Sequence, residues 1–185
     1  MAASVGILRI TGAFAGQSTT DITGLNTVAN AEDVHYPTAT LSSNPVRIPA
    51  TGTNYSYWVT TRLIAYTTPA GTINNIRWYT GGSNNFGTGV TATVAQAQSY
   101  VQATGTIGTT GTQLTVGNHT GSLASPVDPF TVYPGSSTAL AVTGSLSNPS
   151  TGQFGNYVVY QLAVATTASP GATGQNTFTW LYDET

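Results

Sequence analysis

Glycine and proline punctuate this chain so densely that few windows stay free of a breaker long enough to hold a helix. There are 21 glycines and 9 prolines in 185 residues; glycine in a helix interior is entropically costly, and proline removes a backbone donor. The ordered stretches between them are rich in Thr and Val, whose branched side chains favour an extended backbone. Strands are read at Val5 to Ile10, Tyr55 to Thr68, Ile73 to Thr80, Gly89 to Ala97, Gln113 to Val116, Phe130 to Tyr133, Thr138 to Thr143, Tyr157 to Thr166 and Thr177 to Tyr182. The turn clusters PAG, TGGSNNFGTG, GTIGTTGTQ, SNPSTGQFGN and SPGATGQN separate them. Short strands at this spacing predict an all-β fold, an antiparallel β-sandwich of jelly-roll type. The one helical competitor is Val90 to Ala103, where VAQAQSYVQA carries helix-tolerant Ala and Gln but an apolar spacing that fits neither period.

Alternation locates the core. In Tyr55 to Ala65 one face carries Tyr55, Tyr57, Val59 and Leu63, and the other Trp58, Thr60, Arg62 and Ile64. Phe178, Trp180 and Tyr182 share one face of the last strand. Tyr157 to Ala165 is apolar on both faces except at Gln161, the pattern of a central strand covered from both sides.

The first fifty residues differ in texture. Ser18 to Asn30 and Thr38 to Asn44 are polar, and Pro37, Pro45 and Pro49 punctuate the exit. This predicts an extended N-terminal arm over residues 1–50 and a sandwich domain over 51–185. The apolar beads Val5, Ile7, Leu8, Ile10 and Phe14 would let the arm add to a partner's sheet edge.

Charge is scarce. Only 5 % of residues are charged, against about 25 % in an average soluble domain. There is no lysine, and the net charge is −2. Ten Tyr, three Trp and five Phe argue against disorder. Four dispersed arginines supply no basic footprint for nucleic acid. Weak long-range repulsion permits self-association, so a homo-oligomer is expected. The absence of cysteine excludes disulfides, thiolate metal sites and thiol nucleophiles. The opening MAASVGILRITGAFAG lacks a basic leader region, and Arg9 interrupts its apolar run, so no signal peptide is expected. No stretch approaches the roughly 18 apolar residues of a membrane helix.

No catalytic constellation assembles. His35 and His119 are the only imidazoles, and neither has a neighbouring nucleophile motif; GxSxG does not occur. The adjacent Asp183 and Glu184 point to opposite faces of a strand. No enzymatic activity and no cofactor are expected. Glu32, Asp33 and His35 could hold a divalent cation, though acid pairs on loops are usually solvated surface. Asn54–Tyr55–Ser56 and Asn118–His119–Thr120 match the glycosylation acceptor, a pattern common by chance. Arg77, Trp78 and Tyr79, beside the Gly81 to Gly89 loop, form the one patch with a donor next to stacking rings, a candidate sugar site.

Two runs carry a resemblance. GNYVVYQLAVATTASPGATGQNTFTWLYDE couples an apolar strand, an SPG turn and a final aromatic strand. TGTNYSYWVTTRLIAYTTPAGTINNIRWYTGG couples an aromatic strand, a turn and an INNIRWY strand. Both resemble structural proteins of tailed-bacteriophage virions, over about residues 50 to 185. The resemblance implies a capsid decoration (cement) protein bound to the major capsid protein at the virion surface. A tail-associated carbohydrate- or receptor-binding module is the alternative. It also implies a trimer, as decoration proteins often sit on local three-fold axes, and it carries over no functional residue.

Overall fold

The computed structural model describes residues 2–37, 43–171 and 173–185. Its strands are β1 (Val5–Thr11), β2 (Ser18–Asp21), β3 (Thr53–Tyr55), β4 (Val59–Ala65), β5 (Thr72–Thr80), β6 (Val90–Ala97), β7 (Gly105–Thr106), β8 (Thr110–Gly111), β9 (Leu140–Ala141), β10 (Leu146–Ser147), β11 (Gly152–Ala165) and β12 (Phe178–Glu184). Among the described residues helix is confined to a single turn, α1 (Pro129–Val132), and a 3-10 turn at Ser136–Thr138. The fold is an all-β antiparallel sandwich.

The larger sheet is built around β11. One edge of β11 pairs with β4 and then with β3, Tyr160 opposite Val59 and Ala163 opposite Tyr55. Its other edge pairs with all of β6, from Tyr157↔Ala97 to Val164↔Val90. Beyond β4 lie β1 and β2. The smaller sheet centres on β5, with β12 on one side and the short β9 and β10 on the other. Between the sheets Val59, Leu63, Ile73, Ile76, Trp78, Val94, Phe154 and Val158 form the main core. Close packing at one corner requires glycine: a Cβ on Gly144 would lie 2.4 Å from the Cα of Gly155. That approach lets the Asn156 N–H reach Thr143 O at 2.7 Å and ties the two layers together.

The larger sheet is covered on its other face as well. Tyr57, Trp58, Ala95, Ala97 and Val159 pack there against Ala103, Leu114 and Leu123 from the long connection after β6. A loop laid on a sheet buries backbone polar groups, and each needs a partner. Gln161, the one polar residue of the apolar strand, supplies them. Its Oε1 accepts from Leu114 N at 2.6 Å, and its Nε2 donates to Ser56 O and Thr112 O, both at 2.7 Å.

Several expectations change on this frame. Residues 5–11 are not a free arm: β1 is paired on both edges, with β2 and with β4. Leu8 and Ile10 are buried against Tyr100, while Val5 and Ile7 are half-buried against the main core. Of the five beads only Phe14 is free. Two apolar residues on each face were enough to win β1 a place inside the sheet. Residues 38–42 of the expected arm lie outside the described residues.

Phe130 to Tyr133 is not a strand but α1, because Asp128 caps Phe130 N at 2.9 Å and Pro129 occupies the first helical position. Gln113 to Val116 forms no strand either, since Gln161 holds it from the side. Thr138 to Thr143 contributes only Leu140–Ala141. Val90 to Ala97 is a strand and not a helix, since β11 pairs along its whole length.

Two outcomes follow. Deleting Met1 to Asn30 should abolish cooperative unfolding in a urea titration, because it removes β1 and β2 from the sheet. Replacing Gln161 by Leu strands three buried backbone groups; at about 1–3 kcal/mol each before relaxation, the urea midpoint should fall by the equivalent of about 2–4 kcal/mol.

Candidate interaction surface

Two loops that carry exposed apolar side chains are tied to one segment of the chain, residues 27–35. The β1–β2 turn, residues 12–17, presents Phe14 at 76 % exposure. The β7–β8 hairpin presents Ile107 at 66 %, and the segment after β2 presents Val34. Isolated apolar residues on a surface are ordinary. The loops that carry Phe14 and Ile107 share one support.

Segment 27–35 braces both loops. The Gly12 N–H donates to Asp33 Oδ2 at 2.7 Å, and the Tyr100 hydroxyl donates to Gly12 O at 2.6 Å. The Gly108 N–H donates to Ala31 O at 3.0 Å. The tips close on themselves through Gly16 N to Ala13 O and Thr109 N to Thr106 O, both at 3.0 Å. Gly12 and Ala15 take positive φ, 88° and 71°, which a tight turn requires and which Ala tolerates poorly. A strained turn presenting an exposed Phe is a feature to explain.

Beneath the brace lies a buried polar layer. Arg9 projects from β1 into the sandwich, and its Nη1 donates to Val28 O at 3.0 Å. Arg9 Nε, both amide atoms of Asn30, Glu32 Oε1 and His35 Nδ1 are buried here with no hydrogen-bond partner among the described residues. Burial pushes the Asp33 carboxyl above its ordinary value, opposed by its bond from Gly12 and by the Arg9 charge. Burial likewise raises the Tyr100 phenol, and it lowers His35, helped by the nearby Arg9 charge. Glu32, Asp33 and His35 do not converge: among the described residues no group of three His, Cys, Asp or Glu could hold a metal ion.

The aromatic patch does not assemble. Trp78 is 1 % exposed and packs in the main core, its ring 5.0 Å from Phe178. Arg77 and Tyr79 point to the opposite face of β5, where Arg77 pairs with Asp183 at 3.2 Å. Period-2 alternation separates the donor from its stacking ring. His119 is buried beside Trp58, with ring centroids 5.5 Å apart, and its Nδ1 accepts from Gly121 N at 3.3 Å. A shallow groove of about 350 Å³ lies between Gln96, Gln98, Ser122, Thr143 and Asn156. The Gln96 amide there is already spent on Ala141 O, Thr143 N and Asn156 Nδ2.

The chain matches no protein-family model, no curated protein and no solved structure.

The sequence gives one signal for these loops that motif reading passes over. Ile107 is a lone branched apolar residue among Gly and Thr, where a flexible loop has no use for it. The brace itself is tertiary, and no spacing announces it.

The sign of a pH effect follows from Asp33. Its pKa is raised in the fold, so its contribution is full below its unfolded value, about 3.9, and is lost as pH rises through the folded value. Asp33→Asn keeps an acceptor for Gly12 and removes the buried charge. Measured by urea unfolding, this variant should gain stability relative to the native chain as pH rises from about 3 to 7. Asp21 acts in the opposite sense. Bonds from Thr23 and Tyr66 hold its pKa down, so its contribution is lost as pH falls through the folded value.

Proposed function

We propose that this chain is a non-enzymatic structural protein of a phage particle, a decoration or cement protein that binds the outside of the capsid and stabilises it. The observation that carries the reading is the braced pair of loops, where Phe14 and Ile107 stand out on backbone fixed by hydrogen bonds. Such side chains bury without much loss of loop entropy, which is what a docking anchor needs. The sparse charge supports the same reading, since an interface of this protein has to rest on apolar area and neutral hydrogen bonds. The likeness of the two quoted runs to virion proteins supplies the particle. A protein bound only to the assembled shell adds its binding free energy to that state. A tail-associated module binding glycan through Arg77, Trp78 and Tyr79 has less support, because its best stacking ring is in the core.

Attachment to cognate particles is the test, quantified by cosedimentation and located by electron microscopy. Removing a buried Phe or Ile contact forfeits about 1.5–3 kcal/mol, so Phe14→Ser with Ile107→Ser should weaken attachment at least tenfold while the thermal midpoint changes little. Native attachment should persist to about 1 M NaCl, where the Debye length is roughly 3 Å. Full occupancy of the double variant, or release by salt, would count against this reading.

A further inference from the structure

The outer edge of β12 carries backbone groups that no strand among the described residues pairs. In β5 the Thr80 N–H goes to Tyr133 O, and Ile76 O receives the Val142 N–H, so the even-numbered residues of that strand turn their backbone groups away from β12. Trp78, opposite Leu140, does the same. The odd residues Arg77 and Tyr79 therefore bond β12, through their partners Leu181 and Thr179. Phe178, Trp180 and Tyr182 are left with their N–H and C=O groups on the outer edge. No strand lies beyond β12 in the sheet. None of the described residues hydrogen-bonds to those groups.

Side chains add a second requirement. Phe178, Trp180 and Tyr182 face inward, yet all three remain only half-buried against the main core. Half-exposed Val5 and Ile7 of β1 pack against the same core. The seam is apolar, and it runs beside an unpaired backbone edge. Edges of this kind are normally blunted by lysine, proline or a bulge. Residues 178–182 contain none of these, and the bulge in this strand pair lies in β5, where Asn75 takes φ 49°.

We infer that β12 pairs antiparallel with β12 of a second copy of this chain about a two-fold axis at Trp180. The register follows from which groups are free. Trp180 faces Trp180 of the second copy, and Phe178 faces Tyr182 in both directions. Every outward-turned residue then meets an outward-turned residue, giving three hydrogen-bonded pairs that exchange two bonds each. The aromatic side chains of these residues all lie on one face and form a continuous cross-strand ladder. Charge selects the orientation. A parallel pair would set Asp183 and Glu184 beside their own copies; in the antiparallel pair Asp183 falls opposite Thr177 and Glu184 opposite Asn176. An isologous pair closes at two copies. It stands apart from the particle reading, since dimerisation can hold whether or not the braced loops attach to a capsid.

The register also sets the test. Thr179 and Leu181 face each other in non-hydrogen-bonded pairs, with Cα atoms about 4.5 Å apart, a spacing that a disulfide spans. The chain has no cysteine of its own. Thr179→Cys and Leu181→Cys, both on the half-exposed outer face, should each stay uncross-linked alone and form a covalent dimer when mixed under oxidation. Light scattering on the native chain should give the mass of two copies. A monomer or a trimer would overturn the proposal. So would a single variant that cross-links to itself as readily as the mixture does.

Discussion

Everything in this molecule hangs on the need to satisfy one fourteen-residue strand on both edges and both faces. β11 runs from Gly152 to Ala165, with Val158 and Tyr160 facing the smaller sheet and Val159 and Gln161 facing the other way. Neither edge is open, since β4 and β3 take one and β6 the other. The second face is roofed by the mostly irregular connection after β6, in which only the two-residue strands β7 and β8 pair. A roof of loop brings N–H and C=O groups out of water. Left unpaired they would cancel much of what the burial contributes. A single amide, Gln161, meets two of them, Leu114 N and Thr112 O, and Ser56 O from the segment between β3 and β4, with bonds of 2.6–2.7 Å.

The same economy governs the charged residues. Arg62 lies over the Tyr157 ring at 4.5 Å and donates to Gly155 O, so it works as a packing and bonding element of the sheet. Arg77 and Asp183 join β5 to β12. Glu184 accepts from the Ala3 and Ala70 amides and so holds the residues before β1 and before β5 against the last strand. Arg9 is the exception. It is buried without a close carboxylate bond, and its surroundings hold the unpartnered atoms of Asn30, Glu32 and His35. Local rules give way at this brace, whose loops also display Phe14 and Ile107, and departures from consistency tend to gather at functional places.

How far the sequence could be read depends on whether the deciding contact was local. Alternation placed β4 and β12, and apolarity on both faces placed β11 from Tyr157 to Ala165 and singled out Gln161 as its odd residue. It misjudged residues 5–11, whose flanking polar segments suggested an arm. The partner that makes Val5 to Ile10 a sheet strand is β4, more than fifty residues away. It misjudged Phe130 to Tyr133 for the opposite reason. A local signal, Asp128–Pro129 as a helix start, was present and went unread. At the candidate surface Phe14 was read only as one of five beads of an arm, and neither the Asp33–Gly12 nor the Gly108–Ala31 clasp was legible, since each joins segments far apart in the chain through a backbone N–H that every residue but proline carries.

A chain almost without charge also has to manage its sheet edges without the usual lysines. It does so by geometry. The free side of β6 is closed by bridges from Val94 to Val127 and from Ala97 to Leu123. At the far side of the larger sheet the last strand, β2, is only Ser18–Asp21, short and polar. On one flank of the smaller sheet the edge is broken into β9 and β10, two residues each. Those devices leave β12 as the one long edge among the described residues, with its charges confined to Asp183 and Glu184 at the end of the strand. An edge that every neighbouring device spares, lined with half-buried aromatics, is better explained by a strand that belongs beside it than by tolerance of exposure.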